Sequence, residues 1–264
     1  MDLGLKGKSA LVTGASRGLG RAIAETLSAE GCSLILAARD DAKLKTLAAA
    51  LHQRYGTQAK TLSVDLAQMA DQQRLVDFAV DSAGPPDIVV NNAGANPAGE
   101  IDELTEEIWR ASWDLKLFGY IALTRAFYAH MKPRNAGVIV NIIGVSGERM
   151  NARYILGSVG NSALMALTRT LGGRSPDFGI RVLGINPGLT ATDRATVMLS
   201  AWSQQRFGTP DRGDEVLASM KLPFGRMAEP QEVADLVAFA ASPRAGYITG
   251  TILTIDGGAA HRDA

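Results

Sequence analysis

Short apolar runs alternate along this chain with longer stretches of helical periodicity. Residues 9–12, 33–38, 59–64, 87–91, 137–143, 180–185 and 251–255 read as strands. Between them lie amphipathic segments from 19 to about 30, 41 to about 55, 68 to 83, 105 to 131 and 155 to 175, and a last helix opening at Pro230. In the second helix Leu44, Leu47 and Leu51 form one stripe; in the third Leu75, Phe78 and Ala79 point inward. Strands that are apolar on both faces and alternate with helices predict an α/β chain with a parallel sheet covered on both sides. A (β/α)₈ barrel needs eight repeats, and only about seven strands are legible. No linker or internal repeat divides residues 1–264, which read as a single domain, with 190–221 as an insertion over the site.

Composition narrows the function classes. The 264 residues carry 27 basic and 27 acidic side chains, so no basic surface points to nucleic acid. Cys32 is the single cysteine, which excludes an intrachain disulfide and a cysteine-based zinc cluster. His52, His130 and His261 have no ligand spacing, so no metal is expected. No run approaches the ~18 apolar residues of a membrane span, and no apolar signal core opens the chain. The expectation is a cytoplasmic protein with no membrane or nucleic-acid partner. Its 28 glycines are spread along the chain and form no low-complexity tract.

The most telling glycines follow the first strand, in Thr13-Gly14-Ala15-Ser16-Arg17-Gly18-Leu19-Gly20. A tight glycine turn opening a helix lets backbone N–H groups and the helix dipole meet a diphosphate. Further on come Asn91-Asn92-Ala93-Gly94, then Asn186-Pro187-Gly188 with Thr190 and Thr192, then Gly225-Arg226, Pro230, Thr249-Gly250 and Asp256-Gly257-Gly258. In this order the motifs resemble the short-chain dehydrogenase/reductase family over nearly the full length. The resemblance implies a three-layer, Rossmann-type doubly wound parallel sheet of about seven strands. It also implies a dinucleotide held by Gly14, Ser16, Arg17, Gly18, Leu19, Gly20, Arg39, Asp65, Leu66, Asn92, Ala93, Gly94, Asn161, Pro187, Gly188, Thr190 and Thr192. For Asp65, family adenine contact and helix capping both remain open.

The second strand ends in Ala38-Arg39, where an acidic residue would select NAD. Arg17 and Arg39 can clamp a 2′-phosphate, which favours NADP(H) over NAD(H). The same arginines also read as solvated surface residues.

The family's catalytic Asn, Ser, Tyr and Lys do not appear where the resemblance places them. Those positions are Lys116, Gly144, Gly157 and Asn161. Two readings follow. In one, groups are relocated: Lys116 and Asn161 exchange the ammonium and amide, Tyr154 swings toward the space left at Gly157, and Ser146 or Ser158 orients a substrate oxygen. An unperturbed phenol, with a pKa of about 10, serves as an acid, so the reaction is reduction of a carbonyl on a small, largely apolar substrate. In the other, the protein is a catalytically silent NADP(H)-binding scaffold or sensor, Tyr154 is a buried plug and Lys116 an interface ion-pair partner.

Met198, Leu199, Trp202, Phe207, Met220 and Leu222 give the 190–221 segment an apolar stripe, suited either to a ligand or to packing; Arg194, Arg206 and Arg212 read as solvated or as partners of an acidic group. Trp113, Phe118, Tyr120, Phe127 and Tyr128 on the long helix predict a homo-oligomer, dimer or tetramer.

Overall fold

The first strand shows why the sheet forms. In β1 (Ser9–Thr13) Ala10 and Val12 are buried on one face and Leu11 on the other. Such a strand is stable only between two apolar layers. The computed structural model describes residues 1–94 and 96–262. β1 is followed by β2 (Ser33–Ala38), β3 (Ala59–Ser63), β4 (Ile88–Asn91), β5 (Gly137–Ile142), β6 (Ile180–Pro187) and β7 (Ile252–Ile255). All pair in parallel, in the order β3-β2-β1-β4-β5-β6-β7. This is the doubly wound α/β sheet the sequence predicts. The order reverses between β1 and β4, so the loops leaving those strands diverge there and open a crevice at the carboxyl edge.

The helices are α1 (Gly18–Ala29), α2 (Asp41–Tyr55), α3 (Met69–Ala83), α4 (Glu106–Trp113), α5 (Gly119–Met131), α6 (Ile155–Arg174), α7 (Asp193–Phe207), α8 (Gly213–Ser219) and α9 (Pro230–Ala241). Residues of α1, α2 and α9 pack on one face, those of α3 and α5 on the other. Leu44, Leu47 and Leu51 are buried as expected; Asp40 opens α2 by accepting from the Lys43 N–H at 3.0 Å. Pro230 starts α9 within a reciprocal Glu229–Glu232 capping box.

One expectation is corrected and two are refined. The helix read from 105 to 131 is one run of helical backbone through α4 and α5, with a π turn at Asp114–Phe118 inside it. The 190–221 segment contains α7 and α8. Tyr120 and Phe127 are fully buried in the protomer and Trp113 packs against its core, which removes most of the aromatic surface invoked for oligomerisation; Phe118 is exposed. Among the described residues no helix is long and apolar enough to cross a membrane.

Candidate active site

The crevice is closed at its base by Thr13. Its hydroxyl accepts from the Asn92 and Ala93 N–H groups at 2.9 and 3.1 Å, and the Asn92 amide donates to the Thr13 carbonyl at 2.9 Å. The loops after β1 and β4 are thus one hydrogen-bonded unit. Gly14 (φ +65°) and Gly18 (φ +54°) hold left-handed backbone, and Arg17 gives α1 no side-chain cap, so its first N–H groups stay available. A Cβ on Gly20 would lie 2.2 Å from the Gly14 carbonyl oxygen. Gly20→Ala is therefore expected to cost about 1–3 kcal/mol and to weaken dinucleotide binding at least about tenfold. Thermal melts and a nucleotide titration check both.

From β6, Thr190 donates to the Gly188 carbonyl and Thr192 to the Thr190 carbonyl, and the Thr192 methyl lies about where Gly18 leaves room, 3.5 Å from a Cβ built there. Pro187 and Gly188 reach the same rim, with the Gly188 N–H on the Ile255 carbonyl. Asp65 does not cap α3, whose N-cap is Gln68. Its Oδ1 accepts from the Ala67 N–H at 3.2 Å and its own N–H donates to Asp71, which settles the local turn. The neighbouring Leu66 is buried, its carbonyl bonded by Gln72. Arg17 and Arg39 are both exposed. Asp40 beside them is occupied in capping α2 and is held below its ordinary range by Lys43, with Arg17 adding to the effect.

Deeper in the crevice, Lys116 and Asn161 both bond the exit of β5, the first at the Ile143 carbonyl and the second at that of Gly144. Lys116 sits inside the π turn, a distortion that often marks functional sites. Its stem lies against Gly94, where a Cβ would come within 2.8 Å of Cδ. Its Nζ donates to the Ile143 carbonyl at 2.6 Å. Burial, with the Arg194 guanidinium adding to it, pushes its ammonium down to about 7. Asn161, 2% exposed, donates from Nδ2 to the Gly144 carbonyl at 3.2 Å and to Ser146 Oγ at 2.8 Å. Its Oδ1 is buried without a partner, an acceptor with capacity to spare.

Tyr154 is not on α6 but just before it, at non-helical φ −135°, ψ 40°. From there the ring folds back over the first turn. A Cβ on Gly157 would fall 2.0 Å from Tyr154 Cε1 and 2.4 Å from Cζ, so the ring occupies the space that glycine leaves. Tyr154 also borders a cavity of about 610 Å³ that Trp202, Gln205 and Arg206 of α7 help to line. Ser158 is corrected as a candidate: its hydroxyl accepts from the Asn151 N–H at 3.0 Å and is buried in that turn.

Arg194 has a role that its surface position hides in the sequence. It donates to the Asn96 carbonyl at 2.7 Å, tying the start of α7 to the loop after β4. Arg212, by contrast, is taken up by Glu215 through two short bonds. Among the described residues, no cluster of His, Cys, Asp and Glu is suited to a metal ion.

Residues 14–260 match the family model described as enoyl-(acyl carrier protein) reductase. A dehydrogenase/reductase SDR family member 4 of Caenorhabditis elegans is 31% identical over 96% of this chain and 95% of its own. Oxidoreductase UcpA of Salmonella typhimurium is 35% identical, covering 96% of this chain and 95% of its own. The crystal structure of L-sorbose reductase from Gluconobacter frateurii, complexed with NADPH and L-sorbose, superposes with a TM-score of 0.92 at 31% identity over 100% of both chains. The chain belongs to the short-chain dehydrogenase/reductase family and is a Rossmann-type oxidoreductase of the NAD(P)-dependent class.

Proposed function

We propose that this protein is an NADP(H)-dependent reductase that reduces a carbonyl on a small molecule with relocated catalytic groups. Residues 1–264 work as one dinucleotide-binding domain, with 190–221 as its lid. The carrying observation is the Tyr154 ring seated in the space at Gly157, on the border of the cavity. The family's usual Asn, Ser, Tyr and Lys are replaced by Lys116, Gly144, Gly157 and Asn161.

The residues present fit a nicotinamide dinucleotide. Gly14, Ser16, Arg17, Gly18, Leu19 and Gly20 would cradle its diphosphate. Asp65, Leu66, Asn92, Ala93 and Gly94 would line the adenosine and central parts, and Pro187, Gly188, Thr190 and Thr192 the nicotinamide side. Asn161 Oδ1, an acceptor lacking a partner, suits a ribose hydroxyl. When bound, the reduced cofactor supplies a hydride.

Tyr154 donates the proton that the developing alkoxide needs. Lys116, protonated below about pH 7, lowers the cost of that transfer and restores the phenol's proton. Asn161 holds Ser146 in position, and the Ser146 hydroxyl orients the substrate oxygen. A panel of aldehydes and ketones tests the reading by NADPH consumption. Reduction of at least one, abolished by heat denaturation, is expected; none across the panel leaves the second reading, a silent nucleotide-binding protein. The observation in its favour is that Lys116 Nζ and Asn161 Nδ2 already have protein partners.

NADP(H) is preferred because Arg17 and Arg39 flank the end of β2, while Asp40 is committed to α2. Arg39→Asp is expected to raise the KM for NADPH at least about tenfold and to change that for NADH less than threefold, read by parallel initial-rate assays with both cofactors. Loss of both together would mean a folding defect, and loss of neither would remove Arg39 from the site.

A further inference from the structure

The cavity bordered by Tyr154 has an uneven lining. Trp202 of α7 and Met220, just after α8, supply apolar surface, while Asn151 and Gln205 supply amides. Two cations complete it, Arg153 and Arg206, and among the described residues no carboxylate lines it. A volume of about 610 Å³ accommodates a small metabolite.

The two guanidinium groups differ from their neighbour Arg212. Arg212 is neutralised by the paired bonds to Glu215. Arg206 senses that same carboxylate only at long range and, among the described residues, has no ion-pair partner. Its Nη1 donates to Ser219 Oγ at 2.7 Å, and its guanidinium lies 5.1 Å from the Phe207 ring centre. Arg206 is thus an exposed residue held by one hydrogen bond to Ser219, with most of its five N–H donors uncommitted. Arg153 has only a loose partner, Glu100 at 3.5 Å. An un-neutralised guanidinium at the rim of an apolar pocket binds an anion through paired, charge-assisted hydrogen bonds.

We propose that this cavity takes a carbonyl substrate bearing an anionic group, carboxylate or phosphate, with the anion on Arg206 and Arg153 and the apolar body between Trp202 and Met220. This inference rests on the reductase reading and sharpens its largely apolar substrate to an amphiphilic, acidic one. It requires no change in the chemistry at the carbonyl.

Three aldehydes of one shape separate the possibilities: benzaldehyde, 4-formylbenzoate and 4-formylphenyl phosphate. Each is assayed with NADPH and titrated against tryptophan fluorescence, with Trp202→Phe as the control that assigns the signal. At least one acid is expected to show a kcat/KM about tenfold or more above benzaldehyde, mostly through KM. Arg206→Gln is expected to bring the acid-to-neutral ratio close to one, and Arg206→Lys to recover part of it. The better of the two acids identifies the anion as carboxylate or phosphate. Equal kcat/KM for all three aldehydes, or an unchanged ratio in Arg206→Gln, overturns the proposal. If none is reduced, the reductase reading fails separately. Saturable quenching of Trp202 by an acid, absent with benzaldehyde and weakened in Arg206→Gln, still supports the anion site; no such quenching overturns it.

Discussion

Tyr154→Phe is expected to lower kcat/KM for carbonyl reduction by about 10²–10⁴-fold while leaving NADPH affinity within twofold. The reason is geometric. The substitution removes one oxygen and keeps the ring that fills the space at Gly157, so packing at the start of α6 is preserved. The dinucleotide cradle is drawn from the loops after β1, β2, β3, β4 and β6 and from Asn161 on α6, and residue 154 is not part of it. A melting temperature close to wild type, with NADPH binding retained by fluorescence titration, establishes that only the proton donor is gone. Turnover equal to wild type would make Tyr154 a packing residue.

Gly157→Ala supplies the reciprocal measurement. Its Cβ would sit 2.0 Å from Tyr154 Cε1, so the ring must leave its place. A loss of at least about tenfold is expected. The double variant should be little worse than Tyr154→Phe alone, because both changes remove the same phenol from the same site.

These residues show where the sequence was legible and where it was not. The strands are readable because both faces of each are buried: Ala10 and Val12 against Leu11 in β1 report two apolar layers at once. Gly14, Gly18 and Gly20 are readable because few other residues tolerate that backbone or that approach. The π turn is not readable, since shifting one hydrogen bond in a helix leaves its apolar spacing almost intact. Its only trace is Gly119, where a Cβ would stand 3.1 Å from the Leu66 carbonyl and 3.3 Å from that of Asp114. The α7 stripe is equally faint, because the residues it buries are Ala195, Leu199 and Ser203, two of them small. Sequence also locates the spaces at Gly94 and Gly157 without showing what fills them. The Lys116 stem and the Tyr154 ring do so because a vacancy in a packed interior loses dispersion contacts unless a neighbour moves in.

Lys116→Met is expected to reduce turnover and to stabilise the protein at neutral pH, an opposed pair of effects. An ammonium whose pKa falls from 10.5 to about 7 on folding costs stability below that range, because burial disfavours its charged form. Between about pH 7 and 10.5 the unfolded chain holds the proton and the folded chain does not. Wild-type stability therefore rises with pH across that window, with a slope that Lys116→Met removes. A methionine of similar length keeps the packing on Gly94 but gives up the bond to the Ile143 carbonyl, which offsets about 1 kcal/mol. A net gain of about 1–2 kcal/mol remains, or a few degrees in Tm. Activity runs the other way. Reduction needs the protonated ammonium, so kcat/KM should be level below pH 7 and fall about tenfold per unit above it. Arg194→Gln removes the second cause of the depressed pKa and should move that inflection upward; in Lys116→Met the inflection should vanish. A structural lysine would show the reverse pattern, with stability lost on substitution and no titration near 7 in the rate. Rising Tm with falling turnover is the signature of a charge that the fold tolerates at a cost because the reaction uses it.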